Sequence, residues 1–208
     1  QSLIKDLVIT HFDDKTNHAL VLVDDKSERT IISMTTPHLR ELRMDNVPFK
    51  ANDVVAFILW REEFLEDLTR AQAAGCLTAV GAGALADKHV RHADLVIGSR
   101  TDFPVEVDPV DHLDRFTSIV ITDGMQGAVL YSGASEIRQS AFKVEVKDTT
   151  GAGDAFIAGF LAGVAHELTP NQSLEIAAKW AASAVQSESS VPPAFEVVKE
   201  QWGIDLIP

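Results

Sequence analysis

The residues of this sequence that could do chemistry lie together in one short stretch, Asp148-Thr149-Thr150-Gly151-Ala152-Gly153-Asp154-Ala155-Phe156. Its glycines allow a tight turn and let a ligand approach the backbone, and an apolar helix is predicted to begin beside them. The first turn of a helix has N–H groups without intrahelical partners, and the helix dipole favours an anion there. The stretch therefore predicts a phosphate-binding turn next to a carboxylate.

That carboxylate is Asp154, which we expect in the first turn of the helix. The helix dipole favours its charged form there, so it can accept a proton from a substrate hydroxyl. In phosphoryl transfer the protein mainly positions the reacting groups and offsets charge on the moving phosphoryl group, so an anion hole beside a carboxylate fits that chemistry. The structural alternative is a capped, closely packed helix, because Ala155, Gly159 and Gly163 form a ridge of small residues.

The stretch resembles the C-terminal signature of the PfkB (ribokinase-like) carbohydrate kinases, which transfer the γ-phosphoryl group of ATP to a hydroxyl of a sugar or related small alcohol. The resemblance implies that Asp154 is the catalytic base. The implied anion hole is the backbone of Gly151, Ala152 and Gly153. The resemblance also implies that Asp148 and Thr150 help to bind a monovalent cation such as K⁺.

A second stretch, residues 119–127 (IVITDGMQG), resembles the family's strand followed by a T-x-G-x-x-G turn. In the family this turn holds the phosphates and ribose of ATP. The resemblance therefore implies that Thr122, Gly124 and Gly127 bind the nucleotide.

The N-terminal part contains two predicted strands, residues 19–23 and 30–33, joined by a polar turn. Residues 16–33 resemble the family's sugar-covering lid, in which residues 28–32 are similar to a G-E-R-T stretch and Ser27 replaces the usual glycine. A hairpin alone is marginally stable, so it must pack on something. The family's lid often pairs with a second subunit, and we expect a homodimer formed through this lid. A surface hairpin without a partner is the alternative.

Short apolar strands and amphipathic helices alternate from residue 53 onward. The predicted strands are residues 54–59, 77–80, 94–97 and 119–122, and the first predicted helix is residues 62–74. Strands separated by helical segments imply a parallel sheet covered on both faces. We predict an α/β fold, and the resemblance makes it a ribokinase-like three-layer αβα arrangement with a mostly parallel central sheet. Two parts are expected, a partial β lid or arm at residues 1–36 and a nucleotide-binding and catalytic core at residues 37–208.

A β-rich segment and a further helix are predicted after Gly127. Hairpin strands are expected at residues 128–131 and 142–146, around the polar residues 132–140. The start of the helix is marked by a cap, a first-turn proline and a capping-box residue, Thr169, Pro170 and Gln172. Its alanine-rich face allows close approach to a neighbouring helix or to adenine. Core packing is the favoured role of any single alanine, and Ala178 is the residue that we assign to adenine contact.

The sequence departs from the family in two ways. The family's N-terminal strands and Gly-Gly sugar-binding loop, which supply most sugar contacts, have no counterpart here, so the sugar cannot be predicted. The chain is either a fragment of a longer protein or a truncated protein that holds sugar poorly. We favour a fragment, because the loss of several central strands would expose hydrophobic sheet edges.

The second departure follows the strand at residues 94–97, where many members have an Asn-Glu pair that orders magnesium and phosphate. This chain has Ser99 and Arg100 there, and Gly81 replaces an Asp in the preceding loop. Mg²⁺ needs oxygen ligands, which an arginine cannot supply. Arg100 either contacts a nucleotide phosphate or is a solvent-exposed loop residue. A similar Ser-basic replacement in the ketohexokinase-like branch favours a ketose-like substrate, with ATP and Mg²⁺ as the expected cofactors.

Composition excludes several other classes of protein. The formal charge of −13 argues against a nucleic acid or an anionic membrane as partner. The single cysteine, Cys76, excludes an internal disulfide and suggests a reducing compartment. No apolar run approaches the length of a membrane span, and the N-terminus has no signal-peptide pattern, so we expect no membrane association and a cytoplasmic location. His89 and His92 have no third group nearby in sequence for a metal site.

Three functions are compatible with these observations. We favour an ATP-dependent sugar kinase. A catalytically weak or inactive nucleotide- or sugar-binding homologue is suggested by Ser99 and Arg100 and by the missing start. A purely structural, dimer-forming protein is suggested by the hairpin arm.

Overall fold

The computed structural model describes residues 19–23, 29–33, 44, 47–103, 108–188 and 191–205. The chain separates into two compact units, residues 1–43 and residues 44–208. The predicted boundary between residues 36 and 37 lies outside the described residues. Within those residues, no helix combines the length and the apolar character that a membrane crossing requires.

The first unit contains a two-stranded antiparallel hairpin. Strand β1 (Ala19–Val23) pairs with β2 (Arg29–Ser33), so that Ala19 lies opposite Ser33. Both predicted strands are therefore confirmed, with β2 one residue longer at its start. The predicted turn between them is not among the described residues.

The second unit is built on a six-stranded sheet in which the strands follow one another in chain order. The strands are β3 (Val54–Phe57), β4 (Leu77–Gly81), β5 (Ala93–Ser99), β6 (Phe116–Thr122), β7 (Ala128–Ser132) and β8 (Ser135–Gln139). Neighbours from β3 to β6 are parallel, whereas β7 and β8 are antiparallel. The predicted mostly parallel sheet is confirmed.

Four α-helices accompany the sheet among the described residues: α1 (Leu65–Ala73), α2 (Ala152–Ala165), α3 (Pro170–Val185) and α4 (Phe195–Trp202). A 3-10 turn at Glu62–Phe64 precedes α1, so only the later part of the predicted helix at residues 62–74 is α-helical. The start of α3 has the predicted capping box. The Thr169 N–H donates to Gln172 Oε1 at 3.0 Å, and the Gln172 N–H donates to Thr169 Oγ1 at 3.4 Å.

Helices cover both faces of the sheet. Because successive side chains of a strand point to opposite faces, neighbouring residues of β5 show what packs on each face. On β5, Val96 lies in one buried cluster together with Leu68 of α1. Its neighbours Leu95 and Ile97 lie in a second cluster, with Phe156 of α2 and residues of α3. The three-layer αβα arrangement predicted from the sequence is therefore confirmed. Helix α4 packs outside α3 through a third cluster, which consists of Leu168, Ile176, Phe195, Val198 and Ile204.

Helices α2 and α3 pack closely through glycine, as the ridge of small residues predicts. A Cβ atom added at Gly159 would lie 2.8 Å from the Cα of Ala177, and one added at Gly163 would lie 2.6 Å from Ser173 Oγ. Larger side chains at either glycine would force the helices apart. The order of these contacts, with Gly159 against Ala177 and Gly163 against Ser173, makes the two helices antiparallel.

One predicted strand is wrong. Residues 142–146 form no strand, and β8 instead lies at Ser135–Gln139, inside the stretch predicted as a polar loop. Ser132 pairs with Ser135, so a two-residue turn sets the register of the hairpin. This strand is mostly exposed and offers one apolar residue, Ile137, to the sheet, so its hydrophobic pattern was too weak to reveal it. Phe142 packs instead on the ring of Trp202, at 5.0 Å between centroids.

The connection from β4 to β5 has no α-helix, and a single arginine organises it. The guanidinium of Arg115 donates to the carbonyl oxygens of Leu85, Asp87 and Val90 at 3.1, 2.7 and 2.6 Å. It also lies 4.9 Å from the centroid of the Phe116 ring. Hydrogen bonds from a charged donor are stronger than neutral ones, so this residue replaces the backbone hydrogen bonds that a helix would supply.

Replacing Arg115 by methionine should therefore lower the free energy of unfolding by about 3 kcal/mol, because several half-buried carbonyl groups lose their donor. Urea denaturation measures this change. The control is Arg138→Met, since Arg138 lies on β8 with 68% of its side chain exposed. Equal stability of the two variants would contradict the role of Arg115.

Candidate active site

The start of α2 has the geometry that the sequence predicts. Gly151 precedes the helix with φ of 76°, a left-handed conformation that glycine adopts without strain. Asp154 lies in the first turn, and its side chain is exposed rather than directed into the apolar interior. The N–H groups of Gly153 and Asp154 have no hydrogen-bond acceptor within the described parts of the chain. Backbone donors and a carboxylate therefore occur side by side at one exposed helix start.

The backbone at Gly153 is open to a ligand. A Cβ atom added there would meet no atom within 4 Å, whereas one at Gly159 would collide with the backbone of α3. Neither packing nor a left-handed conformation requires glycine at position 153. The open space beside unpaired N–H groups fits an anion such as phosphate.

The loop before α2 is held in place from two directions. The carbonyl oxygen of Val185, at the end of α3, accepts hydrogen bonds from the N–H groups of Lys147 and Asp148 at 2.7 and 3.3 Å. Asp148 Oδ1 in turn accepts from the N–H and the hydroxyl of Thr150 at 2.8 and 2.7 Å. The structure thus brings together Asp148 and Thr150, the two predicted cation-binding residues. Their role in binding a cation stays a prediction.

A second group of predicted site residues lies where β5 and β6 end. Ser99 is opposite Thr122, and the Thr122 hydroxyl donates to the Gly98 carbonyl at 3.5 Å. The turn at Gly124–Gln126 follows, and Gly124 has open space beside its Cα. Gly127 differs, because a Cβ atom there would overlap the carbonyl oxygen of Gln139 on β8. Gly127 is therefore required by packing, while Gly124 leaves room for a ligand.

Arg100 belongs to this second group. Asp102 accepts a hydrogen bond from the Ser99 N–H at 2.8 Å, which fixes the backbone on both sides of Arg100. The Nε atom of Arg100 lies 3.8 Å from Asp123 Oδ2, and both side chains are about half exposed, at 47% and 50%. Sequence reasoning missed the contacts of Asp102 with Ser99 and of Asp123 with Arg100, although the S-x-x-D spacing at residues 99–102 is a capping-box pattern. Ala178 is buried in the apolar cluster beneath α2, and its contact with adenine stays a prediction.

The described residues provide no ready-made metal centre. They include no group of three or more histidine, cysteine or acidic side chains that could hold an ion. Gly81 explains one departure from the family, because a Cβ atom at this position would overlap the carbonyl oxygen of Ile58, so an aspartate cannot fit. Mg²⁺ often binds through one or two carboxylates and the phosphates of a nucleotide, and the residues present fit that mode better than a protein-only cage.

A further cluster, around Asp87, was not predicted from the sequence. Asp87 Oδ2 accepts a hydrogen bond from Trp60 Nε1 at 3.0 Å, and Oδ1 accepts one from the His89 N–H at 2.9 Å. The His89 ring Nδ1 lies 3.2 Å from Asp87 Oδ1 and 3.8 Å from Glu62 Oε1. Burial raises the pKa of Asp87. The hydrogen bonds from His89 and Trp60 and the charge of His89 together lower the pKa by more than burial raises it, so the net pKa lies below its ordinary value.

Fold and site together define a three-layer α/β protein in which backbone N–H groups without acceptors lie beside a carboxylate at a helix start. The sequence matches the family described as pfkB family carbohydrate kinase over residues 5–195, and the chain belongs to this family.

Individual relatives agree with this assignment. The chain is 37% identical over 117 residues to the ribokinase of Schizosaccharomyces pombe, a match that covers 51% of this chain and 37% of that enzyme. The fold resembles that of a nucleoside kinase from Methanocaldococcus jannaschii, with a TM-score of 0.74, 21% identity and coverage of 91% of this chain and 69% of the other. It also resembles an Arabidopsis thaliana ribokinase complexed with ribose and ATP, with a TM-score of 0.69, 20% identity and coverage of 93% and 71%.

Two alanine substitutions should separate the two kinds of glycine in α2. Gly159→Ala should lower the free energy of unfolding by about 2 kcal/mol, because its methyl group collides with α3. Gly153→Ala should leave the free energy of unfolding within about 1 kcal/mol of the parent, because its methyl group enters open space. It should nevertheless weaken the binding of a phosphate-bearing ligand. Thermal unfolding and calorimetric titration with ATP measure the two effects, and normal ATP affinity in Gly153→Ala would argue against the anion site.

Asp87→Asn should lower the free energy of unfolding at pH 7 by about 1 kcal/mol, because the hydrogen bonds to a charged acceptor are weakened. A carboxyl group whose pKa is lowered by folding stabilises the fold above its unfolded pKa, and that stabilisation is lost as the pH falls through the folded pKa. The difference from the parent should therefore begin to shrink as the pH falls below about 4, the ordinary pKa of an aspartate, and disappear only at pH values below the lowered folded pKa. Urea denaturation between pH 3 and pH 7 tests this, with the exposed Asp114→Asn as control. A difference as large at pH 3 as at pH 7 would refute the assignment.

Proposed function

We propose that the protein to which this chain belongs is an ATP-dependent kinase that transfers the γ-phosphoryl group to a hydroxyl of a sugar or sugar-like small molecule. The observation that carries the proposal is the start of α2, where the exposed Asp154 carboxylate adjoins the open, unpaired backbone of Gly153. Phosphoryl transfer requires an acceptor for the hydroxyl proton and donors for the charge on the phosphoryl group, and this helix start offers both.

In this proposal each group at the start of α2 has one task. Asp154 takes the proton of the acceptor hydroxyl as its oxygen forms a bond to the γ-phosphorus. The bond from that phosphorus to the bridging oxygen of the β-phosphate breaks, and ADP leaves with the electron pair. The backbone of Gly151, Ala152 and Gly153 donates to the phosphoryl oxygens during transfer.

The nucleotide is assigned to the second group of residues. Thr122, Gly124 and Gly127 would hold its phosphates and ribose, as the family resemblance implies, with Ser99 and Arg100 beside them. Ligands of parallel α/β sheets bind beyond the carboxyl ends of the strands, which is where β5 and β6 place these residues. Ala178 is proposed for adenine contact.

The substrate class rests on the relatives. The relative in Schizosaccharomyces pombe is a ribokinase, and the Arabidopsis thaliana structure contains ribose and ATP. The chain covers only 37% of the Schizosaccharomyces pombe ribokinase, so sugar kinase activity is a proposal for the whole protein. The ketose preference suggested by the ketohexokinase-like branch is likewise a proposal.

Cofactors and partners complete the proposal. Mg²⁺ would bind with the nucleotide phosphates and neutralise part of their charge. Asp148 and Thr150 would contribute to a K⁺ site, the lid at residues 1–36 would form a homodimer, and residues 37–208 would be the catalytic core. A cytoplasmic location would suit the use of ATP and the thiol of Cys76, which forms no disulfide.

Asp154→Asn tests the assignment of the base. In the native full-length protein this variant should bind ATP almost as well as the parent but phosphorylate its sugar about 100-fold more slowly or worse, because the amide cannot take the proton. A panel of sugars assayed for ADP release identifies the acceptor first. The matched control is Glu196→Gln, since Glu196 is also an exposed acid in the first turn of a helix, α4.

Equal turnover in Asp154→Asn and the parent would reject the role of Asp154. A native protein that binds ATP and transfers phosphate to no sugar would reject the kinase and support the catalytically inactive homologue.

A further inference from the structure

The ion pair between Arg100 and Asp123 lies at the predicted nucleotide site and is a weak one. The Nε atom of Arg100 lies 3.8 Å from Asp123 Oδ2, which is beyond hydrogen-bond distance, and both side chains are about half exposed. Pairs of this kind contribute little to stability, because water and salt screen them. A stronger ligand for the guanidinium can therefore displace Asp123 at small cost.

The backbone carrying Arg100 is nevertheless fixed. Asp102 accepts a hydrogen bond from the Ser99 N–H, and the Ser99 hydroxyl lies 3.1 Å from Thr101 Oγ1. Gly98 packs tightly just before this turn, because a Cβ atom there would lie 3.1 Å from the Cβ of Ala82. The base of the arginine side chain is thus held at the end of β5 while its tip can change partner.

Asp123 is fixed in the same way, on the turn that follows β6. Its N–H donates to the Gly127 carbonyl at 2.8 Å, and its own carbonyl accepts from the Gln126 N–H at 2.8 Å. The next residue, Gly124, has open space beside its Cα. The guanidinium of Arg100 therefore lies near the carboxylate of the residue that directly precedes Gly124.

Arg100 has unused hydrogen-bonding capacity at this place. A guanidinium has five N–H donors in a planar fork that matches two phosphate oxygens, and within the described parts of the chain none of them makes a hydrogen bond. The chain as a whole carries a charge of −13, so its overall field gives a polyphosphate no attraction, and a favourable charge has to come from a cation close to the ligand. Arg100 supplies that cation.

We propose that Arg100 binds the phosphates of the nucleotide that remain in ADP, and that Asp123 competes with them for the guanidinium. This inference rests on the proposed function, because it takes the Gly124 turn as the nucleotide site. It separates two phosphate contacts: the start of α2 receives the transferred γ-phosphoryl group, whereas Arg100 binds the α- and β-phosphates. Asp123 acts as a positioning residue that orients Arg100 when no nucleotide is bound.

The two residues should therefore have opposite effects on affinity. Arg100→Met should weaken the binding of ATP and of ADP to a similar degree, roughly tenfold, and change the binding of AMP by less than about threefold, because a charge-assisted bidentate contact is lost. Asp123→Asn should tighten the binding of ATP and ADP by about twofold to fivefold, because the competing carboxylate is neutralised. In the Arg100→Met background, Asp123→Asn should have no further tightening effect on either nucleotide.

The experiment is calorimetric titration of the native full-length protein with ATP, ADP and AMP. The matched control is Arg91→Met, since Arg91 is an exposed arginine at the opposite, amino end of β5. It should bind all three nucleotides like the parent.

Three results would overturn the inference. Unchanged affinity for ATP and ADP in Arg100→Met would remove the contact. Loss of ATP affinity with normal ADP affinity would assign Arg100 to the γ-phosphate. Weaker binding in Asp123→Asn would make Asp123 a direct ligand of the nucleotide rather than a competitor. In each case the parent still binds ATP, so the proposed kinase function stands, whereas a parent that binds none of the three nucleotides overturns both.

Discussion

The fixed start of α2 is the constraint on which the candidate site depends. A helix leaves N–H groups unpaired at its start and carbonyl groups unpaired at its end. Because α2 and α3 are antiparallel, the start of one lies near the end of the other, and the Val185 carbonyl of α3 accepts hydrogen bonds from the loop that leads into α2. The end of α3 is satisfied by the protein itself, while the donors at the start of α2 remain available for a ligand.

Close packing makes this arrangement rigid. Gly159 and Gly163 allow the backbone of α2 to rest directly on α3, so the separation of the two helices is set by main-chain atoms rather than by adaptable side chains. A displacement of α3 would move the Val185 carbonyl, the loop it holds and the donors beside Asp154 together. The ridge of small residues was the basis of the structural alternative, a closely packed helix without a chemical role. The same close packing holds the start of α2 in place, so it is compatible with a phosphate-binding role as well.

Sequence reasoning succeeded where a local pattern decides the structure. The capping box at Thr169 and Gln172, the short apolar runs of the parallel strands and the glycine-rich start of α2 are all short-range features, and each is present as predicted. It failed at β8, where the tight turn after Ser132 rather than hydrophobicity sets the pairing. It also could not find the contacts of Arg115 or of Arg100 with Asp123, because those residues are more than twenty positions from their partners and meet only when the sheet has formed.

The acidic composition of the chain limits how it can recognise an anion. A net charge of −13 repels a polyphosphate at long range, but at physiological salt this field is screened beyond about 8 Å. Attraction must therefore come from groups in direct contact with the ligand, and two candidates are the neutral N–H groups at the start of α2 and the guanidinium of Arg100. Backbone donors carry no net charge and keep their geometry when the ligand leaves. A lone guanidinium needs a partner in the empty site, and the loosely held carboxylate of Asp123 satisfies that need without binding so tightly that a phosphate could not replace it.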